Sequence, residues 1–341
     1  MCIRDSFHFD DQKLRNNPAA RSGKVELTSV REGNPYGRQI HRYDKSRPEN
    51  LDFLKRLRAL MNESGVMSVG EVGDEGALAT MADYTAHDDK LHMAYGFSLF
   101  TEDFSAARIR SVVEEFEKHI RKGQGWGCWS LSNHDCTRVV TRWGKGVDDP
   151  AFAKLLLAML GSLRGSFCIY QGEELGLPEG EVPFNRLTDP YGIAFWPDYK
   201  GRDGCRTPMP WTAETPQGGF SETEPWLPMS PEHLSRSVAV QTGDPASILH
   251  FYRRFLAWRK TSEALCRGTI RFIETAEPLL ALVREQGPER ILAAFNLSAQ
   301  PTRHTLPSSV QPLEGHGLEA GQVDGQTLLL PPWGGFFGRL A

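Results

Sequence analysis

Val66-Met67-Ser68-Val69-Gly70-Glu71-Val72 is the stretch whose reading decides the fold. It is a short apolar run with a carboxylate near its end, the pattern of a strand buried on both faces of a parallel sheet. Before it, Leu51, Phe53, Leu54, Leu57, Leu60 and Met61 recur at helical spacing among Lys and Arg, so 48–63 reads as an amphipathic helix. Ser64-Gly65 stops that helix. After it the same order returns. A strand at 91–100 (LHMAYGFSLF) leads to a helix at about 105–122, with Ile109, Val112, Val113, Phe116 and Ile120 on one face. A strand at 126–131 leads to a helix at about 150–164. A strand at 167–170 leads through a long Pro-, Gly- and Trp-bearing insertion, 171–245, to a helix at about 246–262. Strands alternating with helices imply a parallel sheet, doubly wound or closed as a barrel.

Two flanks break the rhythm. Residues 1–46 are polar and irregular and read as a long loop without strands. Beyond Leu265, GTIRFIE, LLALVRE, RILAAFNLS and QTLLLPPWGGFFGRL read as short strands parted by Gly, Pro and Gln. The expectation is α/β: a partial (β/α)8 barrel over 1–265 carrying strands 5–8, then a small antiparallel β-domain over 266–341. Only four strand–helix units are visible, against eight and about 250 residues in a complete barrel, so the chain reads as a barrel's C-terminal half.

Composition removes several function classes. The 39 basic and 43 acidic residues leave a net charge of −4, with no basic surplus for a nucleic-acid footprint. No run approaches the length of a membrane-spanning helix, and no polybasic tract suits an anionic membrane. Hydrophobic residues at 40% and charged ones at 24% are those of a folded protein. The six cysteines at 2, 128, 136, 168, 205 and 266 form no CxxC pair, which argues against zinc and for reduced thiols in the cytoplasm. No cofactor and no metal are expected.

In barrels the chemistry gathers where strands end. Glu71 closes 66–72, Asn133-His134-Asp135 follows 126–131, and Gln171-Gly172-Glu173-Glu174 follows 167–170. Two carboxylates on separate strand ends suit glycoside hydrolysis, although on spacing alone rim ion pairs that tie loops together are the stronger reading. Tyr95, Phe97, Trp126, Trp129, Tyr170, Tyr191, Phe195, Trp196 and Trp211 crowd the same ends and the insertion. Flat apolar rings fit the C–H faces of sugars, although half or more of them are expected to be core.

At these residues the sequence resembles a known family. Val-Gly-Glu-Val (69–72), Leu-His-Met-Ala-Tyr-Gly-Phe (91–97), Ser-Asn-His-Asp (132–135), Tyr-Gln-Gly-Glu-Glu-Leu-Gly (170–176), Asp-Pro-Tyr-Gly (189–192) and Gly-Arg-Asp-Gly-Cys-Arg-Thr-Pro-Met-Pro-Trp (201–211) stand in one order. That order is similar to α-glucosidases of the α-amylase superfamily, glycoside hydrolase family 13, in the oligo-1,6-glucosidase-like branch. The resemblance runs from about residue 7 to the end. It implies a retaining α-glucosidase acting on terminal α-linked glucose of di- and oligosaccharides. It implies Glu71 as general acid/base and Asp135 as the carboxylate that grips sugar hydroxyls, the two meeting on one pyranose. It further implies His134 and Arg202 as substrate-binding residues, Phe97 on the pocket wall and Glu179 on the leaving-group side.

One departure is as informative as the match. The family's nucleophile stands in a Gly-Phe-Arg-x-Asp stretch several residues before a segment like the one Phe9 to Pro18 supply here. Counting back from that segment reaches Ile3, which has no carboxylate. Asp5 stands two places out of register, a displacement of about 7 Å along a strand. A retaining pair needs its carboxyls about 5–5.5 Å apart. Met1–Ser6 fit no family pattern, so the chain reads as the C-terminal portion of a longer glucosidase, inactive alone. The alternative is a non-catalytic relative that binds glycan or a partner; retention of Glu71, His134, Asp135 and Arg202 favours the enzyme.

Overall fold

The computed structural model describes residues 2–4, 13–20, 35–73, 76–120, 125–306, 309–319 and 321–340. It separates into two compact units, one of residues 1–101, 108–130 and 165–168, the other of 102–107, 131–164 and 169–341.

The first unit is built on parallel strands. β1 (Cys2–Arg4), β2 (Val69–Val72) and β3 (Met93–Gly96) pair in sequence order, and β4 (Cys128–Trp129) pairs with β5 (Ser166–Phe167). A parallel bridge between Ala94 and Gly127 joins the two groups. Helix α1 (Glu49–Ser64) precedes β2 and ends on Gly65 at φ 61°, a left-handed cap that costs glycine little. Leu54 and Met61 are its buried apolar side chains. Helix α2 (Ala77–Thr85) follows β2, and α3 (Ala106–Ile120) follows β3. In α3, Ile109, Val112, Val113, Phe116 and Ile120 are all buried, as the periodicity predicts. Phe116 meets the Trp129 ring edge-on at 5.5 Å, and a side chain at Gly127 would strike Phe116. β2 has a burial pattern with Gly70, Glu71 and Val72 all buried, as expected of a strand covered on both faces.

Three features of this unit differ from the sequence expectation. Residues 1–46 were expected to lack strands, yet Cys2–Arg4 lies in parallel register with β2, Cys2 opposite Val69 and Arg4 opposite Glu71. Three residues are too few for any periodicity to show, and the pairing is made by backbone groups. Five parallel strands therefore stand in a row, one more than the four units anticipated. The strand at 91–100 is shorter than expected. The backbone leaves β3 at Gly96, where an added methyl would lie 2.9 Å from the Met81 sulfur, and Phe97–Leu99 turns as a 3-10 helix. Helix α2, whose buried Leu78, Met81, Ala82 and Thr85 follow helical spacing, has no counterpart in the sequence expectation.

The second unit holds α4 (Val139–Gly144), α5 (Pro150–Ser162), the short helices α6 (Pro190–Ala194), α7 (Pro231–Leu234) and α8 (Val238–Gly243), then α9 (Ile248–Arg259) and α10 (Glu263–Arg267). Asp149 caps α5, accepting from the Ala151 N–H, with Pro150 at its first position. Leu155 to Ser162 of α5 are buried without a break, so this helix is core on every side. It packs against Phe255 of α9, whose ring leaves no room for a side chain at Gly161.

From Thr269 the second unit is antiparallel. Strands β6 (Thr269–Ile273), β7 (Leu279–Gln286), β8 (Glu289–Asn296), β9 (Thr302–Thr305), β10 (Val310–Pro312), β11 (Gln322–Asp324), β12 (Thr327–Leu330) and β13 (Gly335–Leu340) form two sheets. Their orders are β10-β13-β8-β7-β6 and β11-β12-β9. Leu279, Ala281, Val283, Leu292, Ala294, Leu306, Leu328 and Phe336 fill one apolar core there. Each large one contributes about 1.5–3 kcal/mol by leaving water. Among the described residues no helix is long and apolar enough to cross a membrane.

Candidate active site

In the first unit the candidate groups lie where β2 and β3 end. Glu71 and Tyr95 are register partners on adjacent parallel strands, so their side chains leave the same face of the sheet. The Tyr95 hydroxyl donates to Glu71 Oε2 at 2.9 Å, and both residues are buried. Burial of a carboxyl without a donor would cost several kcal/mol, so this contact both orients Glu71 and makes its burial tolerable. Phe97, half-buried, stacks on Phe100 at 5.1 Å between centroids and lies 6.4 Å from the Tyr95 ring. A methyl at Gly73 would touch the Phe97 ring at 3.5 Å, so Phe97 flanks the chain leaving β2.

In the second unit the segment after β4 supplies an anion and the insertion supplies its cations. Asp135 is 7% exposed. Its N–H donates to Asn133 Oδ1 at 2.9 Å, a turn that presents the carboxylate. Asp135 Oδ1 accepts from Arg202 Nη1 at 3.0 Å and from Arg206 Nη2 at 2.9 Å, while His134 Nε2 lies 3.7 Å away. Arg206 Nε also donates to the His134 carbonyl at 2.7 Å. His134 itself is half exposed.

Arg202 is held from behind. Asp189, whose side chain is fully buried, takes Nε and Nη2 in a two-point fork at 3.0 and 2.8 Å, and takes the Arg202 N–H as well. Burial would raise the Asp189 carboxyl, but the Arg202 hydrogen bonds and charge outweigh it and hold the group below the usual carboxylate range. Hydrogen bonding to Asp189 first, and its charge second, push the Arg202 guanidinium above its ordinary value. Asp203 secures the loop beneath by accepting from the N–H groups of Thr188 and Asp189. Gly201 has φ +80°, and a side chain there would lie 2.9 Å from Asp189 Oδ2, so glycine is required for the fork to close.

Glu179 stands apart from this fork. Its Oε2 accepts from the Arg138 N–H at 2.8 Å at the start of α4, and its own N–H donates to Thr141 Oγ1. Burial pushes its carboxyl up to about 7, only partly countered by the Arg138 N–H. Arg138, 1% exposed, donates to the carbonyls of Gln171 and Cys205. Of the residues singled out from the sequence, the second unit thus brings His134, Asp135 and Arg202 together and leaves Glu179 with Arg138. The first unit sets Phe97 near the end of β2, on which Glu71 lies. Asp5 lies outside the described residues, and Ile3 stands in β1 opposite Gly70.

Three groups of these assemblies carry no catalytic or binding role in the sequence expectation: Tyr95, Asp189 and Arg206. Two signals were available. Tyr95 sits in the same phase of its strand as Glu71, and Arg206 follows Arg202 by four residues within one short turn of 3-10 helix. No local pattern tells which of the acids in 181–203 receives Arg202.

Residues 11–268 match the α-amylase catalytic domain. The chain belongs to the α-amylase family. It is 50% identical to a probable α-glucosidase of Rhizobium meliloti over 98% of its own length and 61% of that protein. It is 28% identical to an oligo-1,6-glucosidase of Parageobacillus thermoglucosidasius over 79% of its length and 53% of that protein. Among solved structures it is similar to an α-glucosyl transfer enzyme, XgtA, with a TM-score of 0.94, 47% identity, and coverage of 100% of this chain and 63% of that one. The chain therefore spans about three fifths of the length of the α-glucosidase and of the glucosyl transfer enzyme. The fold is that of this α-amylase family: part of a (β/α)8 barrel followed by antiparallel β-sheet.

Proposed function

We propose that this chain forms the acid/base-bearing part of a retaining α-glucosidase that releases terminal α-linked glucose from di- and oligosaccharides. Residues 1–265 serve as the partial catalytic barrel and 266–341 as an accessory β-domain. The observation that carries the reading is the buried Asp135 carboxylate held by Arg202 and Arg206, with Asp189 gripping Arg202 from behind. Such an anion is oriented before substrate arrives, which is what gripping hydroxyls in a transition state demands.

Glu71 acts as general acid, protonating the departing glycosidic oxygen, and then as base toward water. Tyr95 aims its carboxyl through the 2.9 Å hydrogen bond. Asp135 and His134 bind hydroxyls of the same glucose, Arg202 fixes the position of Asp135, and Phe97 offers an apolar wall. Glu179 belongs on the leaving-group side. The same reading sets the protein in a reducing cytoplasm, where scattered cysteines stay thiols.

The test joins residues 7–341 to the portion of the Rhizobium meliloti relative that this chain does not match. The chimera is expected to hydrolyse p-nitrophenyl α-glucoside, and Glu71→Gln is expected to abolish turnover. A folded chimera that binds maltose but turns nothing over would establish the non-catalytic alternative instead. The 341-residue chain itself, with Ile3 where the family's nucleophilic carboxylate is required, is expected to leave the substrate intact.

A further inference from the structure

Cys128 on β4 and Cys168, one residue past β5, have their sulfurs 3.4 Å apart. Cys128 is 1% exposed and Cys168 half-buried, so the pair is reached from the Cys168 side. Cys136, Cys205 and Cys266 are likewise unbridged. We propose that Cys128 and Cys168 form a dithiol site for a trivalent thiophilic centre, an arsenical, which clamps β4 to β5 by binding one sulfur from each.

The ladder argues against the simplest use of two adjacent thiols. Cys128 pairs with Ser166, so Cys168 is two positions out of register, and its N–H is fixed on the Trp129 carbonyl at 2.8 Å. Such a diagonal pair lies about 8 Å apart at Cα, given a strand spacing of about 4.8 Å and a rise of about 3.3 Å. A disulfide wants roughly 4.4–6.8 Å there and about 2.05 Å between sulfurs. Oxidation would therefore have to break the ladder, whereas one bridging atom would not.

The 3.4 Å gap lets one bridging atom reach both sulfurs. With bonds to sulfur of about 2.3 Å, sulfurs this far apart subtend about 95°. An angle near a right angle belongs to a pyramidal three-coordinate centre with a lone pair, which is the geometry of trivalent arsenic. The hydrogen bond from Cys128 outweighs burial and lowers the Cys168 thiol below its ordinary value, which favours the thiolate that begins the attack.

The chemistry balances without an oxidant. An arsine oxide, R–As=O, meets two S–H groups. Two As–S bonds form, the As=O bond and both S–H bonds break, and oxygen leaves with the two protons as water. Arsenic stays trivalent throughout.

The experiment uses the reduced 341-residue chain and phenylarsine oxide, followed by thiol titration, intact mass and peptide mapping. The expected result is one arsenical bound with loss of two thiols, mapped to the peptides of Cys128 and Cys168, and released by a small-molecule dithiol. Cys168→Ala, at the half-buried position, is expected to weaken binding 10-fold or more, and Cys128→Ala likewise. Cys136→Ala is expected to change nothing. An arsenical mapped to other cysteines, or retained at full stoichiometry in a folded Cys168→Ala variant, would overturn the site. Rapid conversion of the pair to a disulfide by hydrogen peroxide, without loss of folded signal, would overturn its geometric basis.

Discussion

Two buried charges in the second unit are handled in opposite ways. Arg284, on β7, is 0% exposed and donates to five backbone carbonyls, those of Ser162, Leu163, Leu265, Gly268 and Thr269, at 2.9–3.0 Å. Those carbonyls come from the end of α5, from α10 and from the start of β6, so one guanidinium fastens three elements by neutral acceptors. Asp135 is nearly as buried, yet its partners Arg202 and Arg206 are charged and sit on a glycine-bearing loop, and Arg202 is itself anchored by Asp189. The first arrangement satisfies carbonyls at the ends of helices and needs no mobile partner. The second concentrates charge of both signs at a strand end, which stabilises a fold poorly for its desolvation cost and, on the proposed function, acts on a ligand.

The largest effect should follow from removing the anion of that second arrangement. In the chimera, Asp135→Asn is expected to lower kcat/KM by about 10³-fold, near 4 kcal/mol of transition-state stabilisation, with an unchanged urea midpoint. A large midpoint shift with modest kinetic loss would make Asp135 a second Arg284. Arg284→Met should do the converse. It strands several buried carbonyls, so urea unfolding of the 341-residue chain is expected to show a loss of about 3 kcal/mol or more. Unchanged stability would mean that water replaces the guanidinium.

Asp189→Asn is expected to fall between these. It keeps the shape of the fork but weakens its grip on Arg202, so Asp135 loses its fixed position. In the chimera kcat should fall about 10²-fold with little change in KM, the cost of a misplaced group. Arg202→Lys should mimic it, because an ammonium cannot make the two-point contact. If Asp189→Asn leaves kcat intact, the anchoring has no catalytic consequence.

The smallest effect concerns Glu179, whose carboxyl is raised from 4.5 to about 7 by burial. A raised acid favours the protonated folded state. Its stabilising contribution is complete below about pH 4.5 and is lost as pH rises through 7. Buried Glu173 behaves alike, also near 7 through burial. Glu179→Gln is therefore expected to shrink the fall in stability between pH 4.5 and 7 by about half, read from urea midpoints across that range. An unaltered slope would show that the Arg138 N–H satisfies the carboxylate fully.

The same contrast explains what could be read before folding. The helix face Ile109–Ile120 and the strand 69–72 were legible because burial imposes a period on neighbours in sequence. Glu71, His134, Asp135 and Arg202 were legible because each sits in a short motif resembling the family's. Arg284 was not, although it is among the largest fully buried side chains, since its acceptors are carbonyls that any sequence supplies. Strand β1 was missed for the same reason: backbone pairing made it, and side chains did not.

By itself the sequence determined the alternation of strands and helices, the change to antiparallel strands after the last helix, and the residue types at the strand ends. Those follow from hydrophobic period and turn chemistry, which act over a few residues. Only the tertiary structure decided that Tyr95 holds Glu71, that Asp189 rather than another acid receives Arg202, and that two cysteines 40 residues apart bring their sulfurs to 3.4 Å. Those depend on register and loop closure, which set distances between segments that no local pattern encodes.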